Sequence, residues 1–227
     1  MKLTYLKNCG LLVETGKKKL LIDALNMSTE NFDGLTGKEF TDMFFDNSPC
    51  YGADYVIVTH NHLDHNDKEM AEEYLDANIK CRYIEPEGNG GKEQAIKDGD
   101  IEINTFNTVH SGSPEEGLMH WSVLVKDEKH SIFVAGDADS LSDELIEKLK
   151  NEKLEAIFTM PFFIGGQKGV DALKNIGAKH NYIYHIPEEG KDPWSIRPLA
   201  KNLFNRYGKE VPNLELLLNN MYEFIVL

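Results

Sequence analysis

Tyr55-Val56-Ile57-Val58 is a short apolar run that leads directly into Thr59-His60-Asn61-His62-Leu63-Asp64-His65. Such a run reads as a strand buried on both faces. The segment after it puts three of the chain's eight histidines and an aspartate within six residues. In a continued strand His60 and His62 would share a face. A helix, however, is expected over Asp67–Asp76, with Met70, Ala71, Tyr74 and Leu75 on one side and Asn66 or Asp67 as its cap. The histidine segment therefore turns between strand and helix, and its polar side chains gather around one centre. Imidazole nitrogen and carboxylate oxygen are the donors a catalytic zinc prefers while leaving a position open for water. Iron or manganese takes the same donors. Four donors exceed what one ion usually draws from a short loop, so the spacing suggests two ions, one on His60 and His62, the other on Asp64 and His65. The competing reading is a solvated polar loop with chance histidines.

The flanking sequence reads as α+β. Leu11–Val13 and Leu20–Ile22 form a hairpin around Glu14–Lys19 and end at Asp23. Residues 26–52 are polar and poorly periodic, with one short helix near Glu39–Phe45, and are read as an excursion over a site. Further strands are expected at 80–84, Ile101–Val109, Leu118–Val125 and Ser131–Ala135, with a loop at Glu87–Gly91. The helix Leu141–Leu149 then opens an α/β alternation: strand Ala156–Thr159, helix Val170–Ile176, strand Tyr182–Tyr184, helix Ser195–Phe204. Glu223–Leu227 closes the chain as a strand. Two packed sheets with helices outside account for this order, and 227 residues suit one domain spanning 1–227.

Composition narrows the function. The 24 basic and 38 acidic residues give a formal charge of −14, which argues against a nucleic-acid-binding surface. It leaves room for an anionic small molecule, since local cations or metals reverse the field in a cleft. No apolar run approaches the ~20 residues of a membrane span, and the first ten residues lack a signal peptide's apolar stretch. Cys9, Cys50 and Cys81 are widely spaced and odd in number, so a disulfide framework or thiolate zinc site is not expected. They read as small buried apolar residues in a cytoplasmic protein.

His60-Asn61-His62-Leu63-Asp64-His65 resembles the H-x-H-x-D-H motif of the metallo-β-lactamase superfamily. Leu20–Asp23 is similar to that family's early strand ending in a structural aspartate. Ser131–Asp137 resembles the strand that delivers a metal-bridging aspartate. Met160–Gly166, followed by a helix and Asn181–His185, resembles the last section of the lactonase-like branch. The resemblance implies a four-layer αβ/βα sandwich with the site at one edge between the sheets. Carried onto this chain, it implies that His60, His62 and His110 hold a first divalent ion and Asp64, His65 and His185 a second, with Asp137 bridging. Zinc is the first expectation, manganese or iron the alternatives. A hydroxide shared by the two ions would attack a small ester, lactone, amide or phosphodiester, with Asp64 orienting it or moving its proton.

Each later ligand has a rival in the sequence. His110 follows a strand and precedes Ser111-Gly112-Ser113. His130 sits in the charged turn Lys126–Lys129 and reads as solvated, while His120 reads as half-buried or as a substrate contact. Asp137 competes with Asp139, and His185 with His180, which lies at the other end of its strand. Asp23 reads as a supporting carboxylate rather than a ligand. Lys168, Lys191 and Arg197 are candidates for an anionic group, against ordinary surface charge. Phe162, Phe163 and Trp194 are candidates for a pocket wall, against core. Two other functions stay open: iron-dependent oxidoreduction on the same scaffold, as in diiron proteins or sulfur dioxygenases, and non-catalytic metal binding. The redox diiron branch usually carries glutamate at the position of His62.

Overall fold

The computed structural model describes residues 1–112, 117–218 and 223–226, the last four by backbone alone; Ser113 and Leu227 lie outside the described residues. The first sheet contains β1 (Lys2–Tyr5), β2 (Leu11–Glu14), β3 (Lys19–Ile22), β4 (Tyr55–Ile57) and β5 (Arg82–Ile84). The second is built from β6 (Ala95–Asp98), β7 (Ile101–Asn107), β9 (Trp121–Lys126), β10 (Ser131–Val134), β12 (Ala156–Thr159), β13 (His180–Ile183) and β14 (Leu214–Leu216). A two-stranded ribbon joins β8 (Val109–His110) to β11 (Ala138–Ser140), and β15 (Glu223–Val226) returns to pair with β1. The helices are α1 (Gly37–Asp42), α2 (Lys68–Ala77), α3 (Asp143–Glu152), α4 (Gln167–Ile176) and α5 (Ile196–Tyr207).

The strands alternate between two cores, which is why their apolar runs are continuous rather than split into polar and apolar faces. Leu11, Val13, Leu20, Ile22, Tyr55 and Ile57 of the first sheet face Ile101, Ile103, Trp121, Val123, Ile132 and Phe158 of the second. The opposite faces carry Leu12, Leu21 and Val56 against Phe40, Ala71 and Tyr74 of α1 and α2. Leu124, Phe133 and Ile157 lie against Leu145, Leu149, Val170, Leu173, Ala200 and Leu203 of α3–α5. The layers are thus helix, sheet, sheet, helix, an α+β sandwich as expected.

Both sheets run antiparallel on one side and parallel on the other. In the first, β1, β2 and β3 are antiparallel neighbours, and β3, β4 and β5 are parallel. In the second, β6, β7, β9 and β10 are antiparallel, then β10, β12, β13 and β14 are parallel. The C-terminal ends of the parallel strands β4 and β13 lead into His60–His65 and His185.

Local chemistry sets the helix starts. Asp67, not Asn66, caps α2, its side chain accepting from Met70 N. Ser142 caps α3, and Asp143 and Glu144 suit the positive end of its dipole. That helix begins two residues later than the sequence reading and runs to Glu152. Asp192 starts α5 by accepting from both Ile196 N and Arg197 N.

Several strands depart from the reading. The run expected over Ile101–Val109 stops at Asn107; Thr108 N still reaches His120 O opposite it, and Val109–His110 then leave to pair with β11. The next strand starts at Trp121 rather than Leu118, where Trp121 joins the ladder opposite Asn107. β1, β6, β11 and β14 are additions. No helix among the described residues is long and apolar enough to cross a membrane.

Candidate metal centre

The loop after β4 is held by its own backbone. His65 N and Asn66 N both donate to His62 O, at 2.9 and 2.8 Å, forming one tight turn. Met27 N donates to Leu63 O, Asp67 N to Leu25 O, and Trp121 N of the second sheet to Thr59 O. Asn61 donates to Glu85 and Glu87, Asn66 to Asn61, and Tyr83 to Asn66. His60 and His65 are almost fully buried and Asp64 is 8% exposed.

The side chains singled out in the sequence converge here. His60, His62 and His110 bring donor atoms within 4.8 Å of one another, as do His60, His65 and Asp137. Asp64 Oδ2 lies 3.4 Å from His185 Nε2, and His65 Nε2 lies 3.3 Å from Asp137 Oδ1. Asp137 Oδ2 is 3.6 Å from His110 Nε2 and 3.7 Å from His185 Nε2. His110 comes from the β8–β11 ribbon rather than a free loop, and Ser111 N donates to Asp137 O at 2.7 Å. Asp137 projects from a turn through Gly136, whose φ of +58° and lack of a side chain are both needed: a Cβ there would lie 2.9 Å from His120 Nε2.

The hydrogen bonds behind the rings decide which nitrogens face the centre. His65 Nδ1 donates to Asp23 Oδ2 at 2.9 Å, His185 Nδ1 to Asn8 Oδ1 at 2.6 Å, and His110 Nδ1 to Ser111 O at 2.6 Å. Thr59 Oγ1 gives its proton to Asp23 Oδ2 at 2.7 Å and can then only accept from His60 Nδ1, at 3.0 Å. Asp23 thus orients His65 directly and His60 through Thr59. In its neutral form each of these four rings carries its proton on Nδ1 and turns a bare Nε2 inward.

Those lone pairs need a cation. His65 Nε2 and His185 Nε2 face each other at 3.2 Å, and His60 Nε2 faces His62 Nδ1 at 3.1 Å. His110 Nε2 and Asp137 Oδ1 are buried without a hydrogen-bond partner. Inward-facing acceptors, most of them fixed from behind, fit a divalent metal in their chemistry. Burial, reinforced by His65, lowers the His60 pKa well below the usual imidazole value, keeping the ring neutral as a ligand must be. Burial pushes Asp64 and Asp137 the other way, but His65 and His185 outweigh it and hold both carboxyls low. Burial lowers His65 and His185 too, yet neighbouring acids raise both overall, so a proton competes with a metal for these nitrogens.

The rivals fall elsewhere. Asp139 is exposed, His180 pairs with Glu215 at the far end of β13, and His130 pairs with Asp127. His120 is buried behind Asp137: its Nε2 accepts from Asp137 N at 3.0 Å and its Nδ1 meets Thr108 Oγ1 at 2.8 Å. Both nitrogens are engaged, which makes it a support for Asp137 rather than a substrate contact. Lys191 pairs with Asp33, Arg197 donates to Pro187 O, and Lys168 donates to Ser140 Oγ. Phe163 is core, whereas Phe162 and Trp194 are exposed. The excursion does reach the site, since Phe32 packs on the His185 ring at 4.0 Å between centroids.

Two contributors had no signal in the sequence. Asn8 holds His185, and Cys9 Sγ donates to Asp64 O at 3.1 Å. Burial pushes the Cys9 thiol up to about 12, so it stays a protonated donor. Cys9 is buried as expected but is polar in its role. Asparagine and cysteine in a hairpin turn carry no spacing that announces a contact with the centre.

With its sandwich and the H-x-H-x-D-H loop at the seam between the sheets, this chain has the metallo-β-lactamase fold, as its likeness to solved structures shows. It resembles a UPF0173 metal-dependent hydrolase of Rhizobium etli (strain CIAT 652), with 27% identity over 162 residues, covering 63% of this chain and 65% of that protein. The match therefore spans just under two thirds of that relative's length. Igni18, a metallo hydrolase of Ignicoccus hospitalis, superposes with a TM-score of 0.67 at 15% identity, over 99% of this chain and 97% of that one. YhfI of Bacillus subtilis, a metallo-β-lactamase fold protein, gives 0.63 at 16% identity, over 99% and 98%. No protein-family model matches the chain.

Proposed function

We propose that the chain is a metal-dependent hydrolase with two divalent ions, zinc before manganese or iron, acting on a small ester, lactone or phosphodiester. The observation that carries this is the set of bare nitrogens and carboxylate oxygens turned inward by fixed partners. His60, His62 and His110 would hold one ion and Asp64, His65 and His185 the other, with Asp137 between them. Ions so bound supply Lewis acidity and hydroxide near neutral pH. The chain's own part is to keep His60 neutral by burial, to present Asp64 ionised, and to fix both by the hydrogen bonds behind them. Asp64 is the residue assigned to take and return a proton, being an ionised acid beside His185 with its backbone pinned. Cys9, held protonated and donating to the Asp64 carbonyl, is not the nucleophile in this reading.

The free cysteines suit a reducing compartment, and a cytoplasmic enzyme with a small-molecule substrate is the reading that goes with them. The test is metal depletion followed by a panel of lactones, esters and phosphodiesters. Hydrolysis should vanish in depleted protein and return with zinc or manganese. A rate untouched by depletion would sink the proposal, and a coloured, iron-loaded, oxygen-consuming protein would replace it with redox chemistry.

A further inference from the structure

The turn between β1 and β2 reaches into the centre. Asn8 lies at its tip with φ +64°, a left-handed conformation that asparagine tolerates better than most side chains. Tyr5 Oη donates to Asn8 O, and Leu6 N donates to Gly10 O at 2.8 Å, so the turn is closed around it. The side chain is 2% exposed. Its Oδ1 accepts from His185 Nδ1 at 2.6 Å, and its Nδ2 donates to the Asp64 carbonyl, also at 2.6 Å. Asp64 belongs to the loop after the first sheet's β4, and His185 follows β13 of the second sheet. One amide therefore spans the seam between the sheets. A carboxylate in its place could only accept, and an alkyl group could do neither.

We propose that Asn8 is a positioning residue for the Asp64–His65–His185 half of the centre. It selects the His185 tautomer that aims Nε2 at Asp64 and Asp137, and it holds the Asp64 backbone in register with that ring. Among the described residues no hydrogen bond links Asn8 to His60, His62 or His110, so its effect is confined to one ion. The proposal rests on the two-ion reading above.

The test is zinc titration against a chromophoric chelator, with ion stoichiometry measured by mass spectrometry. Wild type should take up two ions. Asn8→Ala should keep the first at wild-type affinity and bind the second about 10–100-fold more weakly. Asn8→Gly, which relaxes the backbone and removes the same amide, should behave alike and stands in if the alanine variant does not fold. Asn8→Asp keeps the acceptor for His185 and should bind the second ion more tightly than Asn8→Ala. Two ions at wild-type affinity in both Asn8→Ala and Asn8→Gly, equal weakening of both ions, or an aspartate variant no better than alanine would each overturn the role of Asn8. A wild type that takes up a single ion would instead overturn the two-ion reading, and the proposal with it.

Discussion

Asp23→Asn isolates orientation from shape. Asp23 is 1% exposed and accepts from Thr59 N at 2.8 Å, Thr59 Oγ1 at 2.7 Å and His65 Nδ1 at 2.9 Å. The asparagine fits the same space but turns one acceptor into a donor. With its nitrogen at the Oδ2 position it meets two donors, Thr59 Oγ1 and His65 Nδ1. With its nitrogen at Oδ1 it meets Thr59 N. Either way at least one buried donor is left unpaired, at about 1–3 kcal/mol, and losing charge-assisted bonds brings the expected total to about 2–4 kcal/mol. In a chain of 227 residues, where 1 kcal/mol moves Tm by about 2–4 °C, that is a fall of about 5–15 °C. His65 can also escape the clash by moving its proton to Nε2, the nitrogen that faces the centre. Metal affinity should then drop about 10–100-fold. Thermal melts in chelator give the first number and chelator competition the second. Wild-type stability together with wild-type affinity would refute the reasoning, and a stability loss with unchanged affinity would refute the orienting role.

Three further outcomes are expected. Asp64→Asn should stay folded but lose about 10²–10⁴-fold in kcat if Asp64 moves the proton; a kcat within threefold of wild type argues against it. Gly136→Ala forces a side chain to φ +58° and within 2.9 Å of His120 Nε2, so it should lose about 1–3 kcal/mol in urea denaturation and disturb Asp137; unchanged melting and metal content would contradict the close packing. Phe133→Ala removes a fully buried ring from the core under the outer helices and should cost about 3–5 kcal/mol by the same measurement, whereas a loss under 1 kcal/mol would mean that core can collapse.

The histidine loop was legible because its chemistry is local: four donor side chains within six residues, after a strand too apolar to be anything but buried. Asp137 and His185 were legible by strand-end logic, since each follows an apolar run that must finish at a sheet edge. His110 was found in the right region for an incomplete reason, because the ribbon with β11 depends on the chain leaving the β9 ladder after Thr108. Asn8 was out of reach: its partner His185 is 177 residues away and neither lies in a periodic pattern that predicts their meeting. The same holds for the route from Asp23 through Thr59 to His60, which is a matter of which atom donates. β1 and β6 are short and carry lysines, so neither stood out as an apolar run.

The inward-facing donors come from both sheets, and neither sheet supplies a complete set. His60 through His65 follow β4, whereas His110, Asp137 and His185 follow strands of the second sheet. On the metal-binding reading proposed above, tight capture would require the two sheets to have docked. It also works in reverse. A lesion that loosens the sheet-to-sheet packing, even far from the centre, should show itself first as leakage of metal, while helices and strands still give their normal spectrum. Retention of the ions would then serve as a gauge of how firmly the sandwich is shut.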